Sequence, residues 1–280
     1  MAYAIVTGAA KGIGKAIAFE LAKRNYNLIL IDIDEKGLLD TANDFITHKN
    51  IDVQYLHIDL CSAGAAEHIF KLTRPYHEKI NVVVNNAGFG LNGAFEQLPL
   101  DEQLDIIDLN IKAQVKLSHL FIPVLKQKEK SYLLNVGSTT AYQSVPYLNI
   151  YAASKAFVLS FTRSLRYELR NTNVSVSCLS PGSTDTNFVY RASMSEKTIR
   201  IAQKFYMTPE KVADIAVKQL FKGKAEIIPG FSNKINAYLP KFFPKRFVEK
   251  IAASIYEKKA PLAEADSTKA ITQSELSTIN

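Results

Sequence analysis

Short apolar runs alternate with longer stretches of helical period from the first residues to about residue 230, and this alternation limits the fold more than any other feature. The runs fall at residues 3–6, 28–31, 53–58, 82–84, 132–136, 174–178 and 226–228. Between them, residues 13–23, 65–77, 102–125 and 150–170 space their apolar side chains at i, i+3, i+4. Strands separated by helices form βαβ units, whose strands run parallel and whose helices cover both faces. The reading is an α/β chain: a doubly wound parallel sheet of about seven strands, with helices on both faces. At 280 residues, 47% apolar and 22% charged, one packed domain of this kind is affordable.

Two cysteines, Cys61 and Cys178, cannot build a disulfide framework, and neither lies in a CxxC or Cys/His cluster. The opening MAYAIVTGAA runs directly into a strand and a glycine loop, so no signal peptide is expected. No apolar run approaches the roughly 20 residues of a membrane span. The expected location is therefore cytoplasmic. His48, His57, His68, His77 and His119 are scattered, outside any hydrolase or metal-ligand pattern, and no metal is expected. The net charge of +7 is uneven, since residues 232–259 hold seven Lys/Arg against two Glu. A local excess bears on one surface, and with no nucleic-acid motif present no nucleic-acid partner is expected.

Directly after the first strand, Thr7-Gly8-Ala9-Ala10-Lys11-Gly12-Ile13-Gly14 opens a helix. Glycine there lets the backbone turn sharply and approach a pyrophosphate at the positive helix N-terminus. The spacing is GxxxGxG, a variant of the dinucleotide fingerprint, and its place between strand and helix makes the sheet Rossmann-like. Asp32, at the end of the second strand, suits the adenosine ribose hydroxyls and would repel a 2′-phosphate. Asp34 is assigned as the helix cap. Lys11 argues the other way, since a cation in the loop could meet a 2′-phosphate. NAD is the preferred cofactor, with NADP the alternative.

Three further motifs follow the later strands: Asn85-Asn86-Ala87-Gly88, then Ser138, then Tyr151-Ala152-Ala153-Ser154-Lys155. Tyr151 and Lys155 are four apart, so on a helix they share a face. A phenol with a pKa near about 10 is a poor base at neutral pH. A nearby ammonium and a cationic nicotinamide are expected to lower it. Ser138 can hold a substrate oxygen while charge develops on it. Taken in order, these motifs resemble the short-chain dehydrogenase/reductase family over roughly residues 2–230. The glycine loop, Asp59 after the third strand, NNAG, Asn110, Ser138, the YxxxK pair, Pro181-Gly182 and Thr186 carry the resemblance.

That resemblance implies an NAD(P)-dependent oxidoreductase interconverting a carbonyl and a secondary alcohol. Its catalytic set would be Asn110, Ser138, Tyr151 and Lys155, with Lys155 also on the nicotinamide ribose and Asn110 supporting a water in the proton path. The cofactor set would be Gly8, Lys11, Gly12, Ile13, Gly14, Asp32, Asp59, Leu60, Asn86, Ala87, Gly88, Tyr151, Lys155, Pro181, Gly182, Thr184 and Thr186. The rival reading is a catalytically silent dinucleotide-binding regulator or scaffold, which has no need of Ser138, Tyr151 and Lys155 together.

The resemblance also places a variable substrate loop at residues 181–207. Its Phe188, Val189, Tyr190, Met194, Ile199, Phe205 and Tyr206, with Tyr142, Val145, Pro146 and Tyr147, suggest an apolar small-molecule carbonyl or alcohol substrate. Lid-to-body packing alone is the other account of these residues. The expected division is a catalytic domain over residues 1–230, a basic amphipathic helical extension packed on it over 231–259, and a disordered tail over 260–280. Contact of the extension with a membrane surface is the second, less favoured reading. Apolar residues on more than one face of 102–125, such as Ile106, Ile107 and Ile111, fit the homodimer or homotetramer that the resemblance implies.

Overall fold

The computed structural model describes residues 1–48, 51–186 and 188–257. Seven strands form one sheet: β1 (Tyr3–Thr7), β2 (Asn27–Asp32), β3 (Val53–His57), β4 (Ile80–Asn85), β5 (Ser131–Val136), β6 (Val174–Leu179) and β7 (Glu226–Ile227). Their order is β3-β2-β1-β4-β5-β6-β7, and every pairing is parallel. The doubly wound sheet expected from the alternation is therefore present. Because β1 lies between β2 and β4, the chain reverses its winding there, and a crevice opens at the carboxyl ends of the strands.

Eleven α-helices are described: α1 (Gly12–Ala22), α2 (Glu35–His48), α3 (Ala65–Leu72), α4 (Leu100–Ile107), α5 (Gln114–Lys126), α6 (Asn149–Glu168), α7 (Phe188–Arg191), α8 (Glu196–Gln203), α9 (Pro209–Phe221), α10 (Phe231–Tyr238) and α11 (Lys245–Tyr256). Side chains along a strand alternate between faces, so each strand feeds two cores. Ala4 and Val6 of β1 pack with Ile17 of α1, Leu38 of α2 and Val217 of α9. Tyr3 and Ile5 pack on the other face with Ile69 of α3 and Phe121 of α5.

Two predicted helices differ in detail. The 65–77 stretch stops at Leu72 and continues as a 3-10 turn over Arg74–Tyr76, because Pro75 disfavours helix at the residue before it. The 102–125 stretch is continuous but contains a π-helical turn, Asp108–Ala113, between α4 and α5. Single π-turns recur at functional sites, where the extra residue re-aims a side chain. Here that turn carries Asn110.

Past Gly230 the extension forms α10, a 3-10 turn over Leu239–Phe242, and α11, with Pro244 at the α11 N-cap. External donors hold the carboxyl end of α11. Lys197 Nζ donates to Ser254 O at 2.7 Å, Thr198 Oγ1 to Ile255 O at 2.8 Å, and Asn92 Nδ2 to Tyr256 O at 2.9 Å. The expected tail at 260–280, with Lys258 and Lys259, lies outside the described residues. No helix among the described residues is long and apolar enough to cross a membrane.

Candidate active site

One cavity of about 900 Å³ occupies the crevice at the switch point. All of the sequence-predicted site residues line it except Gly14 and Asn110. Gly14 lies behind the loop: a Cβ there would sit 2.0 Å from Gly8 O, so only glycine lets α1 pack this closely. Gly8 and Gly12 adopt φ of 66° and 60°, in the left-handed region. Lys11, at the N-cap of α1, supplies no side-chain cap, and the first turn holds no acid. The leading N–H groups of that helix therefore remain available to an anion.

Thr7, to which sequence reasoning gave no role, joins the glycine loop to the NNAG segment. Its hydroxyl donates to Val84 O at 3.3 Å and accepts from Asn86 N at 3.0 Å and Ala87 N at 3.1 Å. Asn86 Nδ2 returns bonds to Thr7 O at 2.9 Å and Gly8 O at 3.1 Å. Asn85 ends β4 inside a buried amide ladder, donating to Ser118 Oγ at 3.1 Å and to Asn135 Oδ1 at 2.9 Å. Neither asparagine is an ordinary turn former.

Asp32 accepts Ala10 N–H at 2.8 Å and Asp34 N–H at 3.0 Å, so its carboxylate is fixed beside the loop. Asp34 caps α2 through Gly37 N–H at 3.0 Å. The Gly37 N–H first, then the Lys11 ammonium, hold the Asp34 carboxyl below its usual range. Lys11 Nζ is already paired with Asp34 at 3.1 Å. Asp59 accepts Cys61 N–H at 2.9 Å, and Leu60 between them lines the cavity. Thr184 Oγ1 donates to Gly182 O at 3.1 Å, and Thr186 stands over Gly12. Asn233 of α10 fills the space a Cβ on Gly182 would need, an approach with no local sequence signal.

Tyr151 and Lys155 lie in the first two turns of α6, both buried, with Lys155 Nζ 5.7 Å from the phenol ring centre. Lys155 Nζ donates to Val136 O at 2.9 Å. Ser138 Oγ accepts Thr140 N–H at 3.1 Å, which leaves its own hydrogen for the Tyr151 hydroxyl. Burial pushes the Tyr151 phenol up to about 12, against the lowering effect of its bond with Ser138. Burial pushes the Lys155 ammonium down to about 8. The protein's own groups thus raise the Tyr151 pKa through burial, while the Lys155 ammonium donates to the Val136 carbonyl; the lowering expected in the presence of a cationic nicotinamide is a property of the loaded site.

Asn110 is fully buried and does not line the cavity. Its Nδ2 donates to Phe89 O at 2.9 Å and Ser154 Oγ at 3.0 Å, and its Oδ1 accepts Phe89 N–H at 3.1 Å. A Cβ on Gly88 would lie 2.7 Å from Asn110 Oδ1 and 3.2 Å from Lys155 Nζ. Asn110 therefore ties the end of NNAG to the helix carrying Tyr151, at the point where Gly88 meets Lys155.

Val145, Phe188, Val189, Met194, Phe205 and Tyr206 line the cavity as expected, whereas Tyr142, Pro146, Tyr147, Tyr190 and Ile199 do not. The Tyr142 hydroxyl instead bonds Glu226 and, at 3.5 Å, Ser180. Tyr151 packs in one apolar cluster with Val145, Leu148 and Ala252, against which Phe188 and Tyr256 lie. The extension therefore walls the cavity beside the tyrosine, a contact the sequence did not announce.

The short chain dehydrogenase family model matches residues 2–197. The 7beta-hydroxysteroid dehydrogenase of Clostridium sardiniense is 32% identical over 221 residues, spanning 79% of this chain and 82% of that protein. The ketoacyl reductase HetN of Nostoc sp. is 28% identical over 228 residues, 80% of this chain and 77% of that one. A short-chain dehydrogenase from Sphingobium yanoikuyae, solved in complex with NADPH, superposes with a TM-score of 0.78 at 23% identity, covering 93% and 99% of the two chains, and shares the fold. Sheet order, motif order and these likenesses agree, and the chain belongs to the short-chain dehydrogenase/reductase family of NAD(P)-dependent oxidoreductases acting on CH–OH and C=O groups.

Proposed function

We propose that this enzyme interconverts an apolar ketone and its secondary alcohol by hydride transfer with NAD, and that Tyr151 is the acid/base. The observation that carries the reading is the convergence of Ser138, Tyr151 and Lys155 in the cavity that also holds the glycine loop. The residues present fit a dinucleotide: an uncapped helix N-terminus for a pyrophosphate and a fixed carboxylate at the end of β2 for ribose hydroxyls. Gly8, Gly12 and Ile13 would hold the pyrophosphate, Asp32 the adenosine ribose, Asp59 and Leu60 the adenine side, and Asn86, Ala87, Gly88, Pro181, Gly182, Thr184 and Thr186 the nicotinamide half. A bound nicotinamide supplies or accepts the hydride.

The chain's own groups manage the proton. Ser138 Oγ–H would hold the substrate oxygen beside the Tyr151 hydroxyl. Tyr151, kept protonated by burial, donates its phenolic proton to that oxygen as the carbonyl is reduced, and retrieves it in the oxidative direction. Lys155, charged below about pH 8, offsets the resulting phenolate and would hold the nicotinamide ribose with its remaining N–H groups. Asn110 acts by positioning Phe89 and Ser154. NAD is preferred because Asp32 would repel a 2′-phosphate while Lys11, the cation that could welcome one, is paired with Asp34.

An apolar substrate is supported by the cavity wall of Val145, Phe188, Val189 and Met194, and by Phe243 and Phe247 of the extension. The two relatives are named for a hydroxysteroid and a ketoacyl group, both predominantly apolar. We also place the protein in the cytoplasm, on its two unpaired cysteines, and expect a homo-oligomer through α4 and α6, where Leu100, Leu104 and Phe157 are exposed. The test is reduction of a steroidal ketone, a 3-oxoacyl thioester and a charged sugar by the full chain with NADH and with NADPH. Turnover of the apolar ketones is expected. Turnover of the sugar alone would refute the substrate class, and cofactor binding without any turnover would favour a silent regulator.

A further inference from the structure

An amphipathic helix pair packed on a body buries its apolar stripe, and the extension does so only in part, through Ala252 and the half-buried Val248, Ile255 and Tyr256 of α11. In α10 and α11 only Asn233, Ala237 and Ala252 are buried. Phe231 is 80% and Phe242 81% exposed, and Leu239, Phe243, Phe247 and Ile251 are each about half exposed. Isolated exposed apolar residues need no explanation, but a concentration of them on one short segment, with the Phe243 and Phe247 rings 5.8 Å apart, marks a surface that meets something. Lys234, Lys241, Lys245, Arg246 and Lys250 are interleaved with it, all exposed. None of the five forms an ion pair among the described residues. Lys241 Nζ instead stands 5.2 Å over the Tyr238 ring.

We infer that residues 231–256 form a docking surface for an anionic lipid bilayer, with the exposed phenylalanines entering the interface and the five cations meeting headgroups. Aromatic residues beside lysine and arginine suit that boundary, where the rings find hydrocarbon and the cations find phosphate. A second copy is the poorer occupant. A two-fold interface sets the same patch against itself, and here that would bring five cations against five. The patch is also continuous with the cavity, because Phe243, Phe247 and Ile251 belong to both. An apolar molecule could pass from the bilayer to Tyr151 without crossing water. The docking surface stands whether or not the hydride reading is right, and its test does not use turnover.

The full chain is sedimented with vesicles of equal parts phosphatidylcholine and phosphatidylglycerol, and with phosphatidylcholine alone. Binding to the anionic vesicles and much weaker binding to the neutral ones is expected. Phe231→Ser with Phe242→Ser should lower the bound-to-free ratio at least about tenfold, since each ring loses its burial in hydrocarbon. Lys241→Glu with Lys245→Glu should lower it by a further route, about fivefold or more per cation lost. None of these four residues lines the cavity, so cofactor affinity should be unchanged and serves as the check on folding. Three results would overturn the inference: no pelleting of the full chain with anionic vesicles, full pelleting of the phenylalanine pair variant, or self-association in the absence of vesicles that the same pair abolishes. The second would mark a nonspecific polyanion site such as nucleic acid, and the third a contact between copies.

Discussion

Replacing Asn110 by leucine keeps the side-chain volume and removes every polar contact the amide makes. Phe89, itself 6% exposed, would lose the partners that Asn110 gives its N–H and its C=O. A buried backbone group left unpaired costs about 1–3 kcal/mol, so the pair amounts to about 2–6 kcal/mol. Ser154 keeps its bond to Tyr151 O at 2.7 Å and adds little. Against a typical total of about 5–15 kcal/mol, the variant should still fold. Its unfolding midpoint should fall by roughly 5–20 °C, at about 2–4 °C per kcal/mol. Scanning calorimetry alongside urea unfolding measures the change, with Ser154→Ala as a comparator that loses about 1 kcal/mol. A loss below about 1 kcal/mol for Asn110→Leu would refute the reasoning, since the amide would then not be what ties NNAG to α6.

Two further predictions concern charge. Tyr151 stays protonated up to about 12, so of the two it is Lys155, pushed down to about 8, that titrates first on raising the pH. Carbonyl reduction should therefore be level below about pH 8 and decline above it as the ammonium is lost, and Lys155→Met should lower the plateau and abolish that inflection. An inflection that survives in Lys155→Met would assign the titration to another group. For the cofactor, fluorescence titration should give NADH a lower Kd than NADPH, and Asp32→Ala should narrow or reverse the gap by at least about tenfold, as loss of a charge-assisted bond and of a repulsion implies. Equal Kd values in the parent would remove the role of Asp32 in selectivity.

Much of the fold was legible because a parallel sheet buried on both faces writes itself as continuous apolar runs, of which Leu28-Ile29-Leu30-Ile31 is the clearest. The candidate site was legible because its parts are local motifs at strand ends, and topology gathers strand ends at one edge. What stayed hidden was long-range. Thr7 looked like one more loop residue until its hydroxyl was seen to take two N–H groups from the NNAG segment. Asn233 closes on Gly182 and Ala252 shares an apolar cluster with Tyr151, and no periodicity reports such an approach. Tyr142 and Tyr147 read as pocket wall by composition, yet their hydroxyls turn to Glu226 and Glu257. The burial of Tyr151, which raises its pKa in the protein alone, was hidden too, since spacing reveals the neighbouring ammonium but not the desolvation.

The central claim is that the Tyr151 hydroxyl moves the proton. Tyr151→Phe removes that oxygen and keeps the ring that packs 5.0 Å from Phe188, so the cavity should hold its shape. Loss of a positioned acid/base predicts a fall in kcat of about 10²–10⁴-fold with an unchanged Kd for NADH. A variant that turns over within about tenfold of the parent would contradict the account, because that is less than any positioned acid contributes.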